Sequence, residues 1–335
     1  ALQHALPKAL ILLSEDLEQA KRQAKLIRDA RPQLVLAGGG DGSIVRLLNL
    51  LRDAGPGPLP TVGLLKLGTG NGWARAMGAR GYFETVKQLP RMPMPPPVKT
   101  FPLLEVEETL CHFAGVGWDA RILNDYLRNL DRRSAQLVGS RLSTKLHKGL
   151  AGYMYSLFRI TIPEELILLL KSGQPRVTLT TDDDEVSTLD ASGRPIPLRG
   201  FEGAGGRRVL FEGQVSVGAA ATTPEWGFGF RAFPFAGAVP GRINVRVYDR
   251  PVLEATLNMP KLWRGAHPQP GMHDWFVKTA TMRFSRPMPF QIGGDGLGTR
   301  EEVSYRIADE TVDVVDWNKA REMVDAERLV NRLLR

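Results

Sequence analysis

Four glycines and one acid lie in a single predicted turn near the start of the chain, in AGGGDGS at residues 37–43. An apolar run precedes this turn, and an apolar helical pattern follows it. Glycines such as Gly38, Gly39, Gly40 and Gly42 let the backbone approach an anion closely, and N–H groups at a helix start bind phosphate oxygens. Ser43 adds a hydroxyl donor. The turn therefore predicts a phosphate site, with a tight structural turn as the alternative.

Asp41 stands in the middle of this turn, where its charge would repel a phosphate unless a metal ion or a proton transfer is involved. A carboxylate at this position suits Mg²⁺ binding or general-base chemistry. Capping of a helix is the alternative. No Gly-Lys-Ser/Thr follows the turn, so it is not a Walker loop, and the spacing does not fit the dinucleotide pattern G-x-G-x-x-G.

A second glycine-rich loop, KLGTGN at residues 66–71, follows the next apolar run. Its polar and small residues are Gly68, Thr69, Gly70 and Asn71. Two such loops after neighbouring parallel strands face the same edge of a sheet, which is where ligands bind in open α/β folds. Lys66 just before this loop is either a phosphate contact or a solvent-facing lysine.

Strands and helices alternate around both loops. Ala9–Leu13, Gln33–Ala37 and Thr61–Leu67 read as strands separated by amphipathic helices, which indicates a parallel sheet. Pro90–Lys99 contains five prolines and marks a domain boundary. Short alternating strands then predict an antiparallel sandwich, and a charged amphipathic helix over Trp317–Leu334 ends the chain.

GGGDGS and GTGN-x-x-AR together resemble the diacylglycerol kinase catalytic domain family, which includes bacterial soluble lipid kinases and the sphingosine and ceramide kinases. FAGVGWDARI, at residues 113–122, resembles the segment that opens the second domain of that family. KGLAGYMYSLFR, PEWGFGFRAFPFAGA and FQIGGDGLG follow in family order, so the resemblance covers most of residues 9–300.

The resemblance implies an α/β plus all-β fold: an α/β domain of the type shared with NAD kinases, a β-sandwich and a C-terminal helix. We expect residues 1–95 to form the nucleotide-binding domain, without the first strand and loop usual in the family. Residues 99–300 would form the lipid-substrate domain. Residues 301–335 would supply a strand and a helix that pack back on the N-terminal domain.

The resemblance also implies an enzyme that transfers the γ-phosphate of ATP, with Mg²⁺, to a hydroxyl of a diacylglycerol-like or sphingoid lipid. Gly39–Ser43 match the family's nucleotide-phosphate loop, and Gly68–Asn71 match its second loop. Asp295 matches the acid of a late Asp-Gly-Glu motif, which makes Asp295 and Asp41 the catalytic and metal-site candidates. Asp119 matches an acid that contacts the lipid head group in sphingosine kinases, with helix capping as the alternative.

The chain departs from the family pattern at three motif positions. Gly72 stands where an acid is usual, Leu297 replaces the glutamate of the late motif, and Lys66 replaces a proline. Weak or altered activity would follow from these changes. A catalytically weak nucleotide- or lipid-binding module is therefore one alternative, and NAD kinase, which shares the glycine-aspartate turn, is the other.

Composition limits the partners. A net charge of +8 favours an anionic partner, but no basic run is interleaved with aromatic residues, so we expect no nucleic acid. No apolar run is long enough to cross a bilayer, and the single cysteine, Cys111, is typical of a reducing cytoplasm. We expect a cytoplasmic enzyme that touches anionic membrane surfaces transiently and can form a homodimer.

Three further patterns favour structural roles. His267 and His273 lack the spacing of a helical zinc pair, and TTDDDEV at residues 180–186 lacks the EF-hand loop pattern. A helix with basic and aromatic side chains at residues 145–158 is predicted either to face a membrane or to serve as core.

Overall fold

The computed structural model describes residues 2–68, 70–125, 155–200, 206–227 and 229–333. The chain forms two compact units. The first comprises Ala1–Leu103 together with Asp309–Arg335, and the second comprises Leu104–Ala308. The chain thus leaves the first unit and returns to it at its C-terminal end.

The first unit alternates helices and strands, as the sequence predicts. In chain order its elements are α1 (Leu2–Ala5), α2 (Leu17–Ala30), β1 (Val35–Gly39), α3 (Asp41–Asp53), β2 (Val62–Lys66), α4 (Gly72–Ala76) and α5 (Tyr82–Gln88), with a 3₁₀ turn over Leu89–Arg91. The strands β3 (Val98–Val106) and β14 (Asp295–Val315) each run from one unit into the other. The last helix of the chain is α10 (Trp317–Leu333).

Parallel pairing aligns the ends of β1 and β2. Val35 lies opposite Val62 at one end, and Gly39 lies opposite Lys66 at the other. The end of β14 continues this sheet in parallel, with Val314 beside Val62. Because parallel strands end at a common edge, this register brings the loops after β1 and β2 together.

The core of the first unit lies on the apolar stripe that the helix pattern predicts. Leu48 and Leu51 of α3 and Leu64 of β2 are fully buried. Trp73 and Trp317 are also buried, and the Trp317 ring lies 3.4 Å from where a side chain at Gly63 would begin. The C-terminal helix is therefore part of this unit's core.

The strand predicted over Ala9–Leu13 is wrong. Residues 9–14 are in neither helix nor strand, and Leu10 and Leu13 are exposed. The Leu13 carbonyl accepts a hydrogen bond from the Gln23 side chain, 2.6 Å away. A strand needs a neighbour for its backbone groups, and the described residues pair this stretch with none.

The second unit is mostly antiparallel β-structure. Its strands are the second part of β3, β4 (Thr109–Cys111), β5 (Phe113–Gly117), β6 (Arg176–Thr181), β7 (Ser187–Leu189), β8 (Pro195–Pro197), β9 (Arg208–Gln214), β10 (Val217–Ala221), β11 (Ile243–Tyr248), β12 (Met272–Val277), β13 (Thr279–Ile292) and the first part of β14. Its helices are α6, which is described over residues 118–125, α7 (Ile162–Ser172), α8 (Val252–Leu257) and α9 (Met259–Arg264), with a π-helical turn at Leu157–Thr161.

The pairing order in this unit runs β13, β5, β10, β11, β12, β7, β8. The strand β6 also pairs with β13, and β9 pairs with β6. The side chains of Phe113, Phe276 and Phe290 are fully buried within it. Cys111 is buried, and burial raises the pKa of its thiol, so this cysteine is an unreactive core residue.

No helix among the described residues is long and apolar enough to cross a membrane.

Candidate functional site

The two glycine loops of the first unit touch backbone to backbone. A Cβ at Gly68 would lie 2.1 Å from the Gly40 Cα and 2.5 Å from the Gly40 nitrogen. The Leu67 N–H also donates to the Gly39 carbonyl at 3.4 Å. Glycine is required at Gly68 because any side chain would enter the other loop. The sequence prediction that the two loops lie side by side is therefore correct.

The side chain of Asp41 provides a second connection between the two loops. Its buried carboxylate accepts hydrogen bonds from the backbone N–H groups of Gly72, at 2.9 Å, and Trp73, at 3.1 Å. It therefore caps the first turn of α4, which follows the second loop, and it lies itself in the first turn of α3. This geometry gives Asp41 a positioning role. Its use as a base or a metal ligand remains a prediction.

The side chain of Asn71 closes the second loop on itself. Its Oδ1 accepts from the Gly68 N–H at 2.9 Å, its Nδ2 donates back to the Gly68 carbonyl, and its φ of 50° is left-handed. Asparagine tolerates this conformation better than most residues. Gly70 and Lys66 are half-buried, and Thr69 lies outside the described residues. These bonds hold Gly68 and Asn71 together beside the start of α3.

The start of α3 offers donors to a ligand. Its first-turn N–H groups, from Asp41, Gly42 and Ser43, have no acceptor within the helix because none precedes them. Ser43 is exposed, and a Cβ at Gly39 would lie 2.5 Å from the Ser43 Cβ. At Gly38 a Cβ would meet only the end of the Leu67 side chain, at 2.9 Å. Gly39 therefore makes room for Ser43, which brings its hydroxyl to the turn.

Asp119 lies in the second unit, at the start of α6, and is buried. Its Oδ2 accepts a 2.6 Å hydrogen bond from the Gln291 side chain of β13. Burial raises the pKa of Asp119 to about 7, although Gln291 and the backbone N–H groups at residues 119 and 120 favour the charged form. A carboxyl group of this kind exchanges a proton near neutral pH.

An apolar pocket opens beside Asp119. Its volume is about 50 Å³, which fits a few water-sized groups. Its walls come from α6, β10, β11, α9 and the segment before β11; they include Trp118, Val217, Trp226, Phe230, Phe233, Arg246, Tyr248, Leu262 and Met272. Arg246 forms a short ion pair with Asp274, at 2.8 Å, so its charge is already balanced.

Three buried polar atoms on these walls have no hydrogen-bond partner among the described residues. They are the indole N–H groups of Trp118 and Trp226 and Oδ1 of Asp119. Buried polar groups are rarely left unsatisfied, so three unpaired atoms on residues that line one pocket favour a ligand that supplies the missing partners. Sequence reasoning singled out Asp119 but missed the two tryptophans, although both lie in quoted motif segments.

Asp295 lies on the β13–β14 hairpin, whose Gln291 is the hydrogen-bond partner of Asp119. It pairs with Ile292 across a two-residue hairpin turn, and both turn residues, Gly293 and Gly294, have positive φ. Gln291, which holds Asp119, is the residue before Ile292. Asp295 itself is exposed. The structure therefore places Asp119 and Asp295 in one part of the second unit, whereas Asp41 belongs to the first unit.

Among the described residues, no three His, Cys, Asp or Glu side chains come together as a metal site. Mg²⁺ in kinases is usually held by one or two carboxylates plus substrate phosphates and waters, so a protein cluster is not required. The sequence candidates for this role, Asp41 and Asp295, supply one carboxylate in each unit.

The remaining sequence candidates make ordinary contacts. His267 approaches the Asp190 carbonyl, and His273 pairs with Asp249 at 2.9 Å. The acids after β6 pair with arginines at 3.6 Å, namely Asp182 with Arg207, Asp183 with Arg242 and Asp184 with Arg208. Residues 145–154 of the predicted membrane-facing helix lie outside the described residues.

The raised pKa of Asp119 predicts a pH dependence of stability. Between about 4 and about 7 the folded chain holds a proton that the unfolded chain has released, so raising the pH lowers the free energy of unfolding. We expect the urea midpoint to fall between about pH 4 and about pH 7, and to fall less in Asp119→Asn, whose amide does not titrate. An equal fall in both proteins would show that Asp119 has an ordinary pKa.

The geometry agrees with comparisons to known proteins. The family model for the diacylglycerol kinase catalytic domain matches residues 1–92. A diacylglycerol kinase structure from Bacillus anthracis strain Sterne is similar with a TM-score of 0.56 and 13% identity, covering 94% of this chain and 87% of that one. Another structure from the same organism has a TM-score of 0.56 and 14% identity, with 94% and 88% covered.

An NAD kinase from Archaeoglobus fulgidus, in complex with ATP, has a TM-score of 0.43 and 11% identity, with 98% of this chain and 93% of that one covered. No curated protein matches the sequence. The predicted fold class, an α/β domain with a β-rich domain and a C-terminal helix, is confirmed. Residues 1–92 thus match the diacylglycerol kinase catalytic domain, and the chain has the fold of bacterial diacylglycerol kinase-like proteins.

Proposed function

We propose that the protein is an ATP-dependent lipid kinase, which transfers the γ-phosphate to a hydroxyl of a diacylglycerol-like or sphingoid lipid. The observation that supports it most is the buried Asp119 on the wall of an apolar pocket, in a chain whose first unit matches a lipid kinase catalytic domain. A nucleotide site alone would suit many kinases. The apolar pocket with one acid favours an acceptor that is largely apolar and carries a small polar head.

The nucleotide is proposed to bind the first unit at the contact between its two loops. Phosphate oxygens would accept hydrogen bonds from the first-turn N–H groups of α3 and from the Ser43 hydroxyl. Asp41 and Asn71 would keep the loops in place, because each already bonds to the backbone there. Phosphoryl transfer depends mainly on such positioning and on balancing charge.

The lipid head group is proposed to bind the pocket of the second unit. A hydroxyl or ammonium group would donate to the unpaired Oδ1 of Asp119, and an ester carbonyl or hydroxyl oxygen would accept from the indole N–H of Trp118 or Trp226. The pocket volume of about 50 Å³ fits a head group rather than an acyl chain. The chains would therefore extend outward past the exposed Ala266.

Asp295 is proposed to accept the proton of the attacking hydroxyl. A lipid hydroxyl is a poor nucleophile until a carboxylate removes its proton. The exposed carboxylate of Asp295 suits this task because its hairpin also carries Gln291, the partner of Asp119. Mg²⁺ bound to the phosphates would supply the charge neutralisation that these reactions require. The lipid oxygen then bonds to the γ-phosphorus, and ADP leaves.

Blocking the pocket tests the lipid site. Ala266 lines the pocket and its own side chain is exposed, so Ala266→Trp should fill the opening without disturbing the fold. We expect KM for the lipid to rise about tenfold or more, with KM for ATP unchanged. Ala238→Trp, at an exposed residue that does not line the pocket, serves as the control.

A wild-type lipid KM in Ala266→Trp would show that the lipid binds elsewhere.

A nucleotide- or lipid-binding module with little catalysis is the second candidate. It is favoured by Gly72 and Leu297, which replace acids of the family pattern, and by the two backbone hydrogen bonds already made by Asp41. ATP binding without transfer to any lipid or to NAD would support it.

A further inference from the structure

Two neighbouring helices of the second unit point large aliphatic side chains into solvent. On α7, Ile167 is 52% exposed and Leu170 is 86% exposed; on α8, Leu253 is 50% exposed and Leu257 is 77% exposed. Single exposed leucines are ordinary, but a group of four on helices that contact each other is not. We call these four side chains the α7–α8 face.

The opposite sides of the same helices are buried in one core. Ile162 of α7 and Val252 and Ala255 of α8 belong to a cluster with Trp118 and Leu262. The helices are thus fixed to the unit by one side. The spacing of the exposed residues, three apart on α7 and four apart on α8, keeps each pair on a single helix face.

Exposed cations lie on α7 and on the helix that follows α8. Lys171 follows Leu170, and α9, which comes directly after α8, carries Lys261 and Arg264; all three are exposed. The two acids of α7, Glu164 and Glu165, both pair with Arg121, at 2.6 and 2.8 Å. Glu254 is the only acid on α8. Arg121, Lys171, Lys261 and Arg264 outnumber the three acids by one, so these helices carry a small net positive charge.

We propose that the α7–α8 face docks on an anionic bilayer, with its four aliphatic side chains below the head groups and the cations of α7 and α9 at the lipid phosphates. Exposed aliphatic residues rimmed by lysine and arginine are what an interfacial helix needs. Lys171, Lys261 and Arg264 would be attracted to an anionic lipid surface. A second copy of this chain, whose net charge is +8, would repel them.

The position of α9 connects this surface to the pocket. Leu262 of α9 lines the head-group pocket, while Lys261 and Arg264 of the same helix are exposed. Docking would bring the pocket near the surface from which a lipid must be taken. In this respect the inference rests on the proposed function, but membrane binding is measured without nucleotide or turnover.

Sedimentation with vesicles tests the proposal on the full chain. Wild type should bind vesicles of equimolar phosphatidylglycerol and phosphatidylcholine, more weakly as salt rises. In Leu170→Glu/Leu257→Glu, binding should fall about tenfold or more, because two charges replace two inserted side chains. Leu26→Glu, a change at a 46% exposed leucine of α2, should bind like wild type.

Each other outcome has a defined meaning. Equal vesicle binding by wild type and the double variant, with both folded by circular dichroism, would overturn the proposal. So would a wild-type dimer that light scattering shows to dissociate in the double variant, because a second copy would then cover the face. Intact vesicle binding by a chain that phosphorylates no lipid would refute only the proposed kinase activity.

Discussion

Gly68→Ala should abolish ATP binding and phosphoryl transfer. The added Cβ would lie 2.1 Å from the Gly40 Cα and 2.5 Å from the Gly40 nitrogen, and neither backbone atom can move without displacing its loop. Shifts of this size cost about a hundredfold in rate, so we expect kcat/KM for ATP to fall at least that far. Calorimetric titration with ATP measures the binding directly.

Gly55→Ala is the matched control for this substitution. A Cβ at Gly55 would meet nothing within 4 Å, so ATP affinity and thermal stability should equal those of wild type. Should Gly68→Ala bind ATP as tightly as Gly55→Ala, the contact between the two loops would not form the nucleotide site.

Asp295→Asn should leave ATP and lipid bound but stop the transfer. The amide keeps the size of the carboxyl group and cannot accept the hydroxyl proton, so we expect kcat to fall by about a hundredfold to ten-thousandfold. KM for ATP should change little, because the nucleotide loops belong to the first unit. Steady-state kinetics at saturating lipid separates the two effects.

Asp309→Asn controls for a lost charge on the same strand. Asp309 is an exposed residue of β14, and we expect its variant to retain wild-type kcat. Equal activity of Asp295→Asn and Asp309→Asn would remove Asp295 from the chemistry and leave the base unassigned.

The local pattern predicts the elements that depend on neighbours in sequence. Apolar runs and glycine turns identify β1, α3 and β2, with strand boundaries shifted by no more than two residues. Parallel pairing then follows from the alternation of strands and helices. The prediction of a strand over Ala9–Leu13 is wrong because an apolar run becomes a strand only beside another strand. No local pattern shows whether such a partner strand is available.

Contacts between distant residues lie beyond such reasoning. Asp41 bonds to Gly72 and Trp73, 31 and 32 residues away, and Gln291 reaches Asp119 from 172 residues away. Residue types suggest that Asp41 and Asp119 are polar sites, but only the fold shows which atoms their oxygens face. The pocket walls come from several strands and helices, so the sequence does not reveal Trp226 as a neighbour of Asp119.

The most direct test of the proposed function is the fate of the γ-phosphate. Wild type should be incubated with γ-labelled ATP, Mg²⁺ and, separately, diacylglycerol, sphingosine, ceramide, phosphatidylglycerol or NAD. We predict that label enters the organic phase as a phosphorylated lipid, and that Asp295→Asn forms it at least about a hundredfold more slowly. Label found only in a phosphorylated NAD, or in no acceptor while ATP is bound, would contradict a lipid kinase.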